Sequence, residues 1–143
     1  MKGVLLDTNV LSELMRKAPD GVVLKWFEVQ AGTEMYTTAV TQAEILLGVA
    51  LLPDGKRRNA LASAAEQMFQ EDFAARCLAF DRAAACEYAL LVANRTKSGL
   101  PLATEDAQIA SIALAYQLTL ATRNVRDFRQ IDGLMLVNPW EQP

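Results

Sequence analysis

The stretch Val4-Leu5-Leu6-Asp7-Thr8-Asn9 decides the fold of this chain. A short apolar run is stopped there by a polar turn, which is typical of a buried parallel strand that ends where a helix begins. Because ligands of open α/β sheets bind beyond the carboxyl ends of the strands, Asp7 is the first candidate for a functional residue. Its simpler role is to cap the N-terminus of the following helix.

The same alternation of short apolar runs and helical patterns continues along the chain. Further strands are predicted over Met35–Thr38, Cys77–Phe80, Leu118–Thr122 and Met135–Val137. Helices are predicted over Leu11–Met15, Val22–Val29, the segment from Thr41, Lys56–Phe73, Asp81–Lys97 and Glu105–Tyr116. Strands that alternate with helices predict an α/β fold with a parallel sheet covered on both faces.

The composition restricts the chemistry open to this fold. The 143 residues, of which 52% are hydrophobic and 22% charged, fit one globular domain over residues 1–143. The chain has no histidine, which excludes Ser-His-Asp and Cys-His pairs, a histidine base and histidine metal ligands. Catalysis must therefore rest on carboxylates, Lys, Tyr, Cys or a bound metal.

Charge, cysteines and hydropathy bound the partners and the compartment. The net charge of −3 argues against binding of nucleic acid by bulk electrostatics, although it leaves room for a local basic rim. Cys77 and Cys86 lack CxxC spacing, so we interpret them as buried or idle thiols in a reducing cytosol. No apolar run approaches the roughly 18 residues of a membrane span, and the first residues are unlike a signal peptide. We therefore expect a cytoplasmic protein without a membrane partner.

Two roles compete for Glu44, in the helix predicted from Thr41. Thr41-Gln42-Ala43-Glu44 matches the capping box, in which the glutamate satisfies the first amide of the helix. Neighbours of Glu44 at helical spacing include Leu47 and Leu51, so its carboxylate borders an apolar stripe and needs a partner. We expect this stripe to face the core, and it comprises Ala43, Leu46, Leu47, Ala50 and Leu51.

Asp106 repeats the argument near the start of a later helix. Its simpler role is to complement the positive end of that helix. Its neighbours at helical spacing are Ile109, Ala110 and Ala113, which places Asp106 on the apolar face while Glu105 turns away. Three inward acids are thus expected at one end of the sheet.

The segment Thr122-Arg123-Asn124-Val125-Arg126-Asp127-Phe128 follows a predicted strand and supplies further polar groups. Asn124 is either the cap of a short turn or a site residue, and Asp127 is either the partner of a neighbouring arginine or a further acid. Converging carboxylates raise each other's pKa, and a divalent cation resolves that conflict. An all-oxygen site without His or Cys suits Mg²⁺ or Mn²⁺.

In their joint order these motifs resemble the PIN-domain family, and within it the VapC-type toxins of type II toxin-antitoxin systems, the FitB-like branch most of all. The resemblance runs over essentially the whole chain, and it implies a three-layer α/β/α sandwich with a mainly parallel central sheet. The residues that carry it are Leu5-Leu6-Asp7-Thr8-Asn9-Val10, Ala43-Glu44 followed by Leu47-Gly48-Val49-Ala50, Asp106 with Ile109-Ala110, Ala121-Thr122-Arg123-Asn124, and Asn138-Pro139-Trp140.

The resemblance also implies an activity, that of a Mg²⁺- or Mn²⁺-dependent endoribonuclease. In such an enzyme metal-activated water cleaves RNA and leaves 5′-phosphate and 3′-hydroxyl ends. The family's acids correspond to Asp7, Glu44 and Asp106, with Asp7 and Asp106 as the main metal ligands. The fourth acid corresponds to Asn124, a neutral amide, and Asp127 is an alternative for that place.

The resemblance extends to residues that bind the substrate. Thr8, Asn9 and Thr122 match polar residues that line the site in the family. RNA also needs phosphate contacts, and the basic candidates are Lys56–Arg58, Arg95 with Lys97, and the group Arg123, Arg126 and Arg129, of which Arg123 is best placed.

The partners implied by the resemblance are a second copy of the chain, in a homodimer, and a cognate antitoxin encoded beside it. The antitoxin's C-terminal segment would cover the active site, and its N-terminal domain would bind operator DNA, so that a toxin-antitoxin hetero-oligomer meets DNA through the antitoxin. The helices Leu11–Met15 and Val22–Val29 either offer that segment an apolar groove or belong to the core. The alternative function is a non-catalytic PIN-like binding module, because Asn124 replaces an acid.

Overall fold

The computed structural model describes residues 3–141 and contains a five-stranded sheet. Its strands run in the order β3-β2-β1-β4-β5, and every neighbouring pair is parallel. The predicted α/β fold with a parallel sheet is therefore confirmed. The strands are β1 Gly3–Leu6, β2 Glu34–Thr38, β3 Cys77–Leu78, β4 Thr119–Ala121 and β5 Leu136–Val137.

Strand β1 lies at the centre of the sheet. Leu5 pairs with Tyr36 of β2 on one side and with Leu120 of β4 on the other. Leu5 joins the core on one face of the sheet, whereas Val4 and Leu6 join the core on the other face. A strand that is buried on both faces needs apolar residues at every position, which explains the uninterrupted apolar run.

Helices cover both faces and complete the three-layer α/β/α sandwich. Residues of α5, α6 and α7 share a core with Leu5, and residues of α1, α2 and α4 share a core with Leu6. No helix within residues 3–141 is long and apolar enough to cross a membrane. The helices in that range are α1 Thr8–Leu14, α2 Gly21–Val29, α3 Ala39–Ala50, α4 Lys56–Gln67 with a π-helical turn at Met68–Asp72, α5 Arg82–Lys97, α6 Thr104–Ala115 and α7 Val125–Phe128.

The predicted start and orientation of α3 are wrong. Its N-cap is Thr38, whose hydroxyl accepts a hydrogen bond from the Thr41 amide at 3.0 Å, so Thr41 lies inside the helix and caps nothing. The buried residues of α3 are Thr41 and Ile45. Ile45 packs in the core, and the buried Thr41 hydroxyl has a partner in the hydroxyl of Thr8, 3.0 Å away. Helical spacing reveals an apolar face but not its direction. All five residues of the predicted inward stripe face solvent, namely Ala43, Leu46, Leu47, Ala50 and Leu51.

Candidate active site

Asp7 lies between the ends of the two central strands, directly after β1. It is 3% exposed; Oδ1 accepts from the Thr8 amide at 2.8 Å, and Oδ2 accepts from the Thr122 hydroxyl at 2.7 Å. The Asp7 amide donates to the Ala121 carbonyl at 2.9 Å, which ties it to β4. Asp7 is therefore both the N-cap of α1 and a buried carboxylate fixed at the carboxyl edge of the sheet.

Asn9 and Thr122 join the two strand ends around Asp7. The Asn9 side-chain amide donates to the Thr122 hydroxyl at 3.3 Å and to Asp7 Oδ2 at 3.4 Å, while its Oδ1 accepts from the Arg123 amide at 3.1 Å. The Thr122 hydroxyl also accepts from the Asn124 amide at 3.0 Å. Since Thr122 is fully buried, it orients Asp7 and Asn124 and does not face the substrate space.

Glu44 approaches the same place from α3. It is exposed, and its Oε1 accepts a hydrogen bond from the Thr8 hydroxyl at 2.6 Å. The predicted position of Glu44 beside a buried stripe is wrong, because that stripe faces solvent. Its carboxylate nevertheless has a partner at the end of β1, and this contact links α3 to the first turn of α1.

Asp106, in the first turn of α6, completes the group of acids. It is half-buried, whereas Glu105 is exposed, as the helical spacing predicts. The pKa of Asp106 is raised to about 6, chiefly by burial and further by repulsion from Asp7, Glu44, Asp127 and Glu105. The pKa of Asp7 is raised as well, chiefly by burial and further by the charge of Glu44, against two hydrogen bonds to its carboxylate that lower it. The acids are thus close enough to repel one another.

A cavity of about 490 Å³ opens in front of these side chains. Thr122 and Asp127 lie outside its lining, although the charge of Asp127 reaches Asp106. Of the two groups that the sequence left open for the fourth place, Asn124 is the one on the cavity wall. The cavity brings together seven of the predicted site residues, namely Asp7, Thr8, Asn9, Glu44, Asp106, Arg123 and Asn124.

The cavity is also lined by residues that sequence reasoning did not assign to the site, among them Ser12, Glu13 and Arg16. Glu13 is 6% exposed and accepts from Arg16 Nη1 at 3.0 and 3.3 Å and from the Asp20 amide at 2.8 Å. The Arg16 side chain is 64% exposed, so its cation remains available to a ligand. The sequence contains a pattern that could have identified them. A polar helical face is formed by residues at spacing i, i+3, i+4 and i+7, namely Asn9, Ser12, Glu13 and Arg16.

The basic candidates separate into cavity, surface and structural residues. The Arg123 guanidinium stacks on the Trp140 ring, 4.8 Å from its centre, and both side chains line the cavity. Arg126 and Arg129 are exposed outside that lining. Arg95 is 7% exposed and donates to three backbone carbonyls, so the prediction of an RNA contact at Arg95 is wrong.

A larger groove of about 1140 Å³ adjoins the cavity and is lined by α1, α3 and α4 and the turns after α1 and α3. It shares four lining residues with the cavity: Thr8, Ser12, Arg16 and Glu44. Of the two alternatives left open for these helices, groove or core, α1 contributes residues to this groove, whereas α2 does not and its Trp26 packs in the core beside Leu6. The rest of the lining is mainly apolar and includes Met15, Ile45, Val49, Leu52 and Leu61, together with the cations Lys17, Lys56 and Arg57.

Sequence comparison places this geometry among known proteins. Residues 4–134 match the family described as PIN domain. The chain is 44% identical over 138 residues to plasmid stability protein StbB of Pseudomonas syringae pv. tomato, an alignment that covers 96% of this chain and 99% of StbB. It is 39% identical over 138 residues to VapC ribonuclease Y4jK of Sinorhizobium fredii, covering 96% of this chain and 98% of Y4jK.

Structure comparison points the same way. Toxin FitB of Neisseria gonorrhoeae is 39% identical over 137 residues, covering 96% of this chain and 98% of FitB. The crystal structure of FitAcB from the same organism superposes with a TM-score of 0.89 at 39% identity, over 97% of this chain and 99% of that one. The resemblance to FitB-like, VapC-type proteins is confirmed. The chain belongs to the PIN domain family.

Proposed function

We propose that this chain is a metal-dependent endoribonuclease and the toxin of a type II toxin-antitoxin pair. The observation that carries the proposal is the cavity at the carboxyl edge of the sheet, which is lined by the three predicted acids Asp7, Glu44 and Asp106 and by Glu13, together with Asn124 and Arg123. Proteins named as a VapC ribonuclease and as a toxin are each 39% identical to this chain over nearly its full length, which supports the same reading.

The acids of the cavity fit a hard divalent cation. Their donor atoms are all oxygen, which suits Mg²⁺ or Mn²⁺ and not zinc. Within residues 3–141, no three acidic side chains are grouped so as to hold an ion by themselves, and the Glu44 carboxylate is engaged by Thr8. Protein-bound Mg²⁺ commonly uses one or two carboxylates together with water and substrate phosphate, so Asp7 and Asp106 suffice as direct ligands. Glu44 and Asn124 then complete the surroundings.

Each residue of the cavity has a role that follows from its contacts. When bound, Mg²⁺ or Mn²⁺ lowers the pKa of a water molecule and offsets charge on the phosphate, which supplies the chemistry that histidine provides in other enzymes. Thr122 and Asn9 hold Asp7 through hydrogen bonds to its carboxylate. Arg123 and Arg16 present cations from the cavity wall to the RNA phosphates.

The groove is the site that we propose for the antitoxin. Because it shares Thr8, Ser12, Arg16 and Glu44 with the cavity, a segment lying in the groove also reaches the active site. Its apolar lining favours an amphipathic segment. Binding there would cover the acids, and the antitoxin's own DNA-binding domain would bring the complex to operator DNA.

The exposed face of α3 is the surface that we propose for homodimerisation. Leu46, Leu47 and Leu51 are 42%, 60% and 76% exposed. Leu47 and Leu51 are four residues apart and Leu46 adjoins Leu47, so the three side chains form a continuous apolar face. Large exposed apolar patches commonly mark an interface with another chain, and a second copy of α3 offers a face of the same kind.

The proposed function is tested by incubating purified protein with RNA in Mg²⁺. We expect wild type to cleave it into fragments with 5′-phosphate ends, and Asp7→Asn to bind RNA without cleaving it. The stability of Asp7→Asn should be kept or raised, because the variant removes a buried charge. Asp132→Asn, an exposed acid outside the cavity, is the matched control and should cleave normally. RNA binding by wild type without cleavage at any Mg²⁺ or Mn²⁺ concentration would identify a non-catalytic binding module instead.

A further inference from the structure

We propose that Arg95 is a positioning residue of the active site, which anchors the segment from Thr122 to Gln130 so that Arg123 and Asn124 face the cavity. The inference rests on the ribonuclease function proposed above. Arg95 lies in the last turn of α5 and outside the lining of the cavity. It therefore acts through the segment that it holds and not on the substrate.

The guanidinium of Arg95 is committed to three backbone carbonyls. Nε donates to Leu100 at 2.9 Å, Nη1 to Arg129 at 2.7 Å and Nη2 to Asp127 at 3.0 Å. None of the ion pairs within residues 3–141 involves Arg95. A buried charge is costly unless it is paired or hydrogen-bonded, so the carbonyls take the place of a carboxylate. Such a residue connects pieces of backbone to each other.

The turn after α5 fixes the position of the Arg95 side chain. The Leu100 amide donates to the Arg95 carbonyl at 2.9 Å, and the Gly99 amide donates to the Thr96 carbonyl at 3.2 Å, which together form a Schellman motif. Gly99 has a φ of +67°, a left-handed conformation that glycine adopts without strain. Leu100 thus binds both the main chain and the side chain of Arg95, and the direction of the guanidinium is set.

The other two carbonyls belong to the segment that carries the cavity residues. Asp127 and Arg129 flank Phe128, which is 1% exposed and packs in the core. Phe128 fixes how deeply α7 is buried. Arg95 binds the carbonyls on either side of Phe128, and this prevents α7 from rotating about the Phe128 side chain. The Asp127 amide donates to the Asn124 carbonyl at 3.0 Å, so a rotation of α7 is passed on to Asn124.

A second anchor holds the other end of the segment. The Thr122 hydroxyl donates to Asp7 and accepts from the Asn124 amide. Arg123 and Asn124 therefore lie between one anchor at the strand end and another at Arg95. Loss of the Thr122 anchor would disturb Asp7 directly, whereas loss of the Arg95 anchor frees the segment and leaves the contacts of Asp7 in place.

Arg76 offers a matched control for substitutions of Arg95. Its guanidinium also donates to backbone carbonyls, those of Met35 at 2.8 Å and Asp72 at 2.7 Å, but it lies where β2 and β3 meet and lines none of the cavity. Arg76→Met therefore removes the same kind of hydrogen bond, together with the ion pair of Arg76 Nε with Glu34 at 3.5 Å, without touching the Thr122–Gln130 segment. Arg95→Met, Arg95→Lys and Arg76→Met are compared in RNA cleavage and thermal unfolding.

We expect kcat of Arg95→Met to fall about 10–100-fold, because displacement of site groups by about 1 Å costs rate on this scale. KM should rise by no more than about tenfold, the effect expected when the phosphate contact of Arg123 is lost. Arg95→Lys keeps the charge but replaces the planar guanidinium with a single ammonium group, so its kcat should lie between that of wild type and that of Arg95→Met. Arg76→Met should lower Tm and leave kcat unchanged. If Arg95→Met does not fold, the comparison of Arg95→Lys with Arg76→Lys decides.

Nuclear magnetic resonance provides a measurement that needs no activity. The side-chain amide resonances of Asn124 should shift, and hydrogen exchange of the Asp127 amide should accelerate, in the Arg95 variants and not in the Arg76 variants. Wild-type kcat in the Arg95 variants, or a loss of kcat that follows Tm equally at both arginines, would overturn the proposal. A wild type that cleaves no RNA would contradict the proposed function alone, and the resonances would still show whether Arg95 positions Asn124.

Discussion

The cavity and the groove share one wall but are built in different ways. The cavity of about 490 Å³ is formed where strands end, and charged and polar side chains line it. The groove of about 1140 Å³ is formed between helix faces, and apolar side chains dominate its lining. The shared residues are Thr8, Ser12, Arg16 and Glu44. The chemistry that we propose for the cavity and the partner binding that we propose for the groove would therefore be adjacent and separable, and substitutions outside the shared wall should affect one and spare the other.

The largest expected effect comes from Asp106→Asn, which alters the cavity alone. We expect RNA cleavage to fall by about 10³-fold or more, because the charge stabilisation that a bound metal supplies amounts to several kcal/mol. Antitoxin affinity should change far less, because Asp106 does not line the groove. Single-turnover cleavage and calorimetric titration measure the two effects. Glu105→Gln, in the exposed neighbour, is the control, and an equal loss of cleavage there would contradict the assignment.

Leu61→Glu should have the opposite selectivity. Leu61 lines the groove and not the cavity, and a charge placed in an apolar contact raises the antitoxin Kd, by about 100-fold if Leu61 is a central contact. Cleavage of RNA by the free toxin should remain at the wild-type rate. Val29→Glu, on a residue that is 69% exposed on α2, controls for the added charge. Loss of cleavage with unchanged antitoxin binding would show that the two regions are not separable.

Arg123→Ala should have a smaller effect, confined to substrate binding. We expect RNA affinity to fall about tenfold and the slope of log affinity against log salt to decrease by about one, since one phosphate contact is lost. The fold should be unaffected, because Arg123 is exposed. Arg126→Ala, in a neighbouring arginine outside the cavity lining, is the control. The same cleavage as wild type across salt concentrations would count against a phosphate contact at Arg123.

The smallest expected effect is on stability without metal. Because the pKa of Asp106 is raised from 3.8 to about 6, the folded protein keeps a proton on Asp106 between these two pH values, whereas the unfolded protein has released it. This contribution is fully present below pH 3.8 and is lost as pH rises through about 6. Allowing for the exposed part of the side chain, we expect the free energy of unfolding of wild type to fall by about 1 kcal/mol more than that of Asp106→Asn over this pH range. Urea unfolding in chelator measures it, and parallel pH profiles of the two proteins would refute it.

The acids at the strand end and on α6 were predictable because local rules determine their direction. A polar residue directly after a buried strand has to lie at the edge of the sheet, which places Asp7. Helical spacing favours Asp106 over Glu105, since the residues three, four and seven positions after Asp106 are Ile109, Ala110 and Ala113, whereas Gln108 lies three positions after Glu105. Both inferences depend on a few neighbouring residues, and no long-range packing alters them.

Other features depend on packing that no local pattern encodes. The apolar stripe of α3 was expected in the core, but the helix buries Thr41 and Ile45 and turns its leucines to solvent. In the sequence, Arg95 is a basic residue like Arg123, and both are candidates for a phosphate contact. Only the fold shows that backbone carbonyls from distant segments surround Arg95. Glu13 and Arg16 follow Asn9 at helical spacing, so a polar helix face could be recognised in the sequence. A polar face is also typical of ordinary solvent-exposed helix, and the neighbouring Asp7-Thr8-Asn9 motif was the stronger indication of a site.

The central claim, that the acids of the cavity cleave RNA with a bound cation, is tested most directly by single-turnover cleavage while Mg²⁺ is titrated into chelated wild-type protein. We predict no cleavage in excess EDTA and a saturable rise in rate as free Mg²⁺ increases, with Asp106→Asn inactive throughout. Cleavage by wild type that continues undiminished in excess EDTA would contradict the claim.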